Sequence, residues 1–286
     1  MKIRQSITGI EARRDSRVLV LACSNLELDL LPALYDTLRE LGRAPRLDVV
    51  LSCRGGLVNA ARRIALLLRD FTDHLAFIVP HHCESAGTLA VLAGHEIVAG
   101  PVALFSPIDP SLQTAPSADG PPAICAEDVR LFGEMSRDWF GLPEDPARSL
   151  SVLCENIFPT TLTAFYRATL EVQAIGAELL ALHMPQAPGE TRSRIVDALL
   201  FGHHSHGYAL TREELAQLGL PVRRDPPVED LAWQVAGELR GEIGGGARRA
   251  EDHDWFDAIV ATREGAQRRR RSPTGPAPAW EAEEIE

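Results

Sequence analysis

The chain has 286 residues, of which 45% are hydrophobic and 24% charged, and its formal net charge is -11. That length holds one large domain or two small ones with a sizeable core, and the acidic balance argues against general affinity for a nucleic-acid backbone. Lys2 is the only lysine, so nearly all the positive charge is arginine.

In chain order, short β-branched apolar runs at 17–22 (RVLVLA), 47–53 (LDVVLSC), 75–80 (LAFIVP) and 96–99 (EIVA) have the length of buried strands. Between them, 28–41, 57–71 and 85–93 carry apolar residues at helical spacing among good helix formers. Strict alternation of strand and helix predicts an α/β domain with a parallel sheet and right-handed crossovers. The Ser-, Pro-, Ala- and Gly-rich stretch 111–123 reads as an exposed loop. Helices are expected at 127–140, 160–183 and 190–201, then at 211–218 and 228–239 after a short His-rich stretch. This places one domain over 1–240. The remainder, 241–286, with Gly244–Gly246, the arginine run 268–271 and a Pro- and Glu-rich end, reads as a linker and disordered tail whose arginines are solvated.

Open α/β sheets place their sites at the C-terminal ends of strands. The strand 47–53 runs into Arg54-Gly55-Gly56 and a helix. A glycine pair there makes a tight turn and leaves unobstructed N–H groups able to hold a developing oxyanion. The next strand ends in His81-His82-Cys83-Glu84-Ser85-Ala86-Gly87-Thr88, which puts Ser85 at a helix start. Such a serine is either an N-cap or a nucleophile facing the positive end of a helix.

The combination of Gly55-Gly56, Val79-Pro80-His81, Ser85-Ala86-Gly87-Thr88 and Pro107-Ile108-Asp109-Pro110, in that order, resembles the Clp-fold serine peptidases. It is most similar to the serine dehydrogenase proteinase family, relatives of the signal peptide peptidase A group. The segment His206-Gly207-Tyr208-Ala209-Leu210-Thr211, followed by 214–222 (ELAQLGLPV), echoes a further family element, so the resemblance spans 17–222. The resemblance implies a Clp protease/crotonase-like βα superhelix with a C-terminal helical elaboration. It also implies a serine hydrolase of peptidase type with Ser85 as nucleophile and Gly55, Gly56 and Ala86 around the oxyanion. Four positions depart from the family pattern: Arg54 replaces proline, Glu84 an apolar residue, Ser106 glycine and Gly207 aspartate.

A serine hydroxyl needs a general base at neutral pH. The lysine that signal peptide peptidases use is excluded here, because Lys2 lies on the N-terminal segment. Histidine is the substitute, as in the Ser-His-Asp triad of Clp proteases. The usual Clp histidine falls near Ser106 and is absent there. His206, in the family-matching segment, is the base of choice, with His81, His82, His203 and His204 as rivals and Asp109 as the residue that orients it. Two other readings stay open: a catalytically inactive assembly or interaction module, and a crotonase-like acyl-CoA enzyme.

The five cysteines (Cys23, Cys53, Cys83, Cys125 and Cys154) form no CxxC pair and are odd in number, the usage of reduced, buried thiols. The N-terminus lacks the apolar core of a signal peptide, and no apolar run approaches the ~20 residues that span a bilayer. A cytoplasmic protein without a membrane span is expected. No metal, nucleotide or organic cofactor is indicated, since neither a P-loop nor a GxGxxG fingerprint is present. The expected partners are a protein or peptide substrate and, from the resemblance, further copies of the chain as a homo-oligomer, with no nucleic acid.

Overall fold

The computed structural model describes residues 2–110, 126–143, 145–243, 253–273 and 278–286. The predicted loop 111–123 and Cys125 lie outside these residues. Four parallel strands, β1 (Arg17–Cys23), β2 (Ala44–Cys53), β3 (Thr72–Val79) and β5 (Glu96–Ala99), form the centre of the sheet. Each gives one face to each of two apolar layers. Leu19 and Leu21 of β1, for example, pack with α2 (Leu31–Leu41) and α3 (Val58–Asp70), whereas Val18 and Val20 point the other way. Burial on both faces is why these strands read as continuous apolar runs rather than alternating ones.

The second face is covered by α1 (Arg4–Arg14) and α10 (Pro226–Glu242). No element is expected over 4–14 from the apolar runs of the sequence, yet a helix forms there. Ile3, Ile7 and Ile10 are all fully buried, and their spacing is the apolar stripe of one helix face. The first face continues with α4 (Ala86–Val91), α7 (Pro159–Ala181) and α8 (Gly189–Phe201). Two short strands, β4 (His82–Cys83) and β6 (Leu104–Phe105), branch from β2, and β7 (Val222–Arg223) closes the edge beside β5. The helical elaboration comprises α5 (Ala126–Phe140), α6 (Pro146–Asn156), α7 and α8, followed by α9 (Arg212–Gln217).

The expectation of a linker and disordered tail over 241–286 is corrected for the described residues. Beyond residue 252, β8 (Trp255–Ala261), β9 (Ala266–Arg271) and β10 (Ala279–Glu283) extend the sheet antiparallel from β1, in the order β10-β9-β8-β1. The arginine run is not a solvated patch. Arg269 is fully buried and forks onto both oxygens of Asp257 at 2.8 Å, with Glu27 3.0 Å away. Arg270 meets Asp254 and Glu281, and Arg268 meets Glu283 while lying over the Phe256 ring. A register shift between Phe256 and Ala258 leaves Asp257 as the extra residue of the strand, and it serves both Arg269 and Arg271. Charges that read as disorder in one dimension are therefore matched across strands.

Candidate active site

The nucleophile candidate is built from two adjacent strand ends. Strands β2 and β4 are register partners at Cys53 and Cys83, so the turns that follow them lie side by side. Glu84 donates its amide to the Cys53 carbonyl (3.2 Å), and its own carbonyl accepts the Gly87 amide (2.8 Å). Ser85 stands inside that turn at φ 50°, ψ -112°. This is the first central position of a type II′ turn, where glycine is the ordinary occupant. A side chain held there costs about 1–3 kcal/mol, and such conformations cluster at functional sites. The Ser85 hydroxyl makes no capping bond to α4, so the N-cap reading does not describe it.

The glycine turn is constrained just as tightly. A Cβ on Gly56 would lie 2.3 Å from the Leu26 amide nitrogen, and Gly56 has φ +132°. The Leu26–Gly56 bridge uses the Gly55 carbonyl and the Leu57 amide, which turns the Gly56 amide away from Leu26. Gly55 has φ +123°, and a Cβ on it would lie 3.2 Å from the Ser85 Cβ. Ser85, Ala86, Gly56, Ile108 and Asp109 line one cleft of about 730 Å³, together with Leu26, Leu57 and Leu89.

Asp109 and His206 meet although 97 residues separate them in sequence, with Asp109 Oδ1 at 2.8 Å from His206 Nδ1. Asp109 is 6% exposed, and its Oδ2 is buried without a hydrogen-bond partner among the described residues. The hydrogen bond to Asp109 raises His206 above the ordinary imidazole range, against the effect of partial burial, and the charges of Asp109 and Glu84 add to the rise. Three of the four rival histidines make other contacts. His81 and His82 pack on each other and line a separate small cavity with Ala236 and Arg240, while His203 stacks on Tyr208.

Two of the departures from the family pattern join through His82. Its Nδ1 lies 2.6 Å from Glu84 Oε1 and its Nε2 lies 2.9 Å from Arg54 Nη2. The carboxylate beside Ser85 is thus tied to the imidazole rather than left facing the hydroxyl. Sequence reasoning missed this bridge, and it also missed Arg271, which reaches the cleft wall from β9 and pairs with Glu27 and Asp257. Among the described residues, no group of three or more His, Cys, Asp or Glu side chains is arranged to hold a metal ion. Nor is any helix among them long and apolar enough to cross a membrane.

Residues 3–124 match the family of ClpP-like SDH-type serine proteinases. The matched region, less than half of the chain, makes it similar to that family. With its parallel βα order, this region has a Clp protease/crotonase-type fold, elaborated by the helices after β6. Two Methanocaldococcus jannaschii proteins are similar in sequence: Uncharacterized protein MJ0137 (27% identical over 198 residues, 68% of this chain and 60% of that protein) and Uncharacterized protein MJ1495 (26% over 240 residues, 79% and 73%). The match thus spans less than two thirds of the first of these. Among solved structures, the 1510-N membrane-bound stomatin-specific protease in complex with a substrate peptide is 16% identical, covering 74% of this chain and 76% of that one, with a TM-score of 0.43. A probable enoyl-CoA hydratase/isomerase from Mycobacterium abscessus is 14% identical, covering 82% and 75%, with a TM-score of 0.39.

Proposed function

We propose that this chain is a serine peptidase acting on protein or peptide substrates through a Ser85 acyl-enzyme. In this mechanism Ser85 Oγ attacks the substrate carbonyl as His206 takes the hydroxyl proton. Asp109 holds the imidazole by Nδ1 and stabilises the imidazolium. The amides of Gly56 and Ala86, with that of Gly55 beside them, hold the tetrahedral oxyanion. His206 then returns the proton to the leaving amine, and water resolves the ester. The observation that carries this reading is Ser85 itself: a non-glycine residue at a turn position suited to glycine, uncapped, in a cleft that also receives Asp109.

The test is labelling with a fluorophosphonate probe, followed by peptide mapping. Modification at Ser85 and a loss of at least ~10³-fold in peptide or ester hydrolysis in Ser85→Ala are expected. An unlabelled wild-type protein, or a fully active Ser85→Ala, overturns the reading; the unlabelled protein leaves the non-catalytic module and the crotonase-like acyl-CoA enzyme.

Self-association belongs to the same proposal. Trp139 (80% exposed) and Phe158 (72%), with Phe140, Leu150, Tyr166 and Leu170, put large apolar side chains on the surface of α5, α6 and α7. Large apolar side chains exposed on helices that contact one another are a feature of interfaces, which supports a homo-oligomer joined through these helices.

A further inference from the structure

Ser106 stands where the family pattern carries glycine, and it follows β6 directly. It is 4% exposed, and its hydroxyl oxygen accepts the backbone N–H of Ser85 at 2.8 Å. The same hydroxyl donates to the Pro107 carbonyl (3.3 Å), so it both donates and accepts. The Ser106 amide in turn donates to Thr88 Oγ1 (3.2 Å), and Thr88, fully buried, donates to the Cys83 carbonyl (2.9 Å). A closed circuit of side-chain hydrogen bonds thus encloses the turn in which Ser85 sits.

The circuit answers a problem that the turn creates. At φ 50° the Ser85 amide points away from α4 and away from the Glu84–Gly87 bond that closes the turn. A partly buried N–H without a partner is disfavoured, and relaxation of the backbone toward an ordinary φ would relieve both that loss and the strain. The Ser106 hydroxyl removes the incentive to relax. A glycine at this position offers no such acceptor.

Ser106 also sits three residues before Asp109, across Pro107 and Ile108. The segment is pinned at both ends of that span: Phe105 exchanges backbone hydrogen bonds with Leu210, and the Ile108 amide donates to the Leu199 carbonyl. One short rigid stretch therefore holds the backbone of Ser85 through Ser106 and the ring of His206 through Asp109. From this geometry we infer that Ser106 is a positioning residue that locks Ser85 in its strained turn and sets its register against the Asp109–His206 pair. The inference rests on Ser85 being the nucleophile.

The experiment compares Ser106→Ala, Ser106→Gly and Ser106→Thr with the wild-type chain, by the rate of fluorophosphonate labelling and by kcat, KM and pH profile on one ester or peptide substrate. Loss of the hydroxyl in the Ala and Gly variants is expected to slow labelling and kcat by about 10- to 100-fold, the penalty for slight misplacement of a reacting atom. KM should stay within about threefold, and the acid limb of the pH profile should not move, because His206 and Asp109 are untouched. Ser106→Thr, which keeps the hydroxyl, is expected to recover most of the rate. Cooperative urea unfolding of each variant checks that the loss is not one of folding, and the Gly variant stands in where Ala disturbs packing. Wild-type rates in both Ala and Gly overturn the inference while leaving Ser85 as nucleophile, as does a KM change that accounts for the whole effect. An unlabelled wild-type chain overturns both at once.

Discussion

In the proposed mechanism His206 acts as a base only while its ring is neutral, and the groups around it oppose that state. The Asp109 hydrogen bond, with the charges of Asp109 and Glu84, holds its pKa above the ordinary value. A raised pKa means that the protonated, inactive ring persists to higher pH, so the acid limb of kcat/KM should lie above about 6.5. Glu84→Gln removes one of the two charges while keeping an oxygen for His82, and it should move that limb toward lower pH with little loss of maximal rate. Asp109→Asn should move it further and also cut kcat by about 10²-fold or more, because the imidazole loses the partner that orients it. A pH–rate series on the two variants checks both. A limb that neither substitution shifts would exclude His206 as the base. The meeting of Asp109 with His206 was expected from their two motifs, because each motif carries its own recognisable pattern. The Arg54–His82–Glu84 bridge was not, because it depends on β2 and β4 being neighbours at Cys53 and Cys83, and a linear reading weighs each unusual residue alone. Ser106 escaped for the same reason: its partner is 21 positions away and is a backbone group.

At the level of elements, the central strands and most helices were legible because burial imposes a pattern: apolar runs for β1, β2, β3 and β5, and 3.6-residue stripes for α2 and α3. The C-terminal strands break that link between pattern and burial. In β9 the inward position is occupied by Arg269, fully buried, so the strand is stabilised by matched charge rather than by apolar side chains. Such a pair contributes little when intact relative to an apolar substitute, but removing one partner strands the other in the core. Asp257→Ala leaves Arg269 and Arg271 without their shared acceptor and should destabilise the fold by about 3–5 kcal/mol. The urea midpoint measures this, and a shift below about 1 kcal/mol would mean that Glu27 suffices for both arginines. Because Arg271 borders the cleft, the same variant should also impair hydrolysis under conditions where it is still folded. The arginine run is thus a structural link between the sheet edge and the site.

Across the whole molecule, His95 and His183 depend on pH with a sign opposite to that of His206. His95 and His183 are each brought down to about 4, chiefly by burial and further by the neighbouring cation Arg69. His95 already uses Nδ1 to accept the Leu75 amide and lies against Arg69 and the ring of His74. In the unfolded chain both rings take up a proton near the ordinary value of about 6.5. Between that value and about 4 the unfolded state binds more protons than the folded one, so stability falls as pH is lowered through this window. His206 has the opposite sign: its raised pKa contributes stability at low pH that is lost as pH rises through its folded value. The two windows lie on either side of 6.5 and can be separated. Urea midpoints measured from pH 8 to 4 should fall steadily below about pH 6.5, with a slope approaching two protons. His95→Gln, which retains an acceptor for Leu75, together with His183→Gln should flatten that fall while leaving the region above neutrality unchanged. A slope that survives the double substitution would assign acid sensitivity to other groups, with His74, also lowered by burial, the first to examine. The proposed peptidase activity and the stability of the fold would then fail in acid for different reasons: protonation of His206 beside Asp109, and protonation of His95 and His183 beside Arg69.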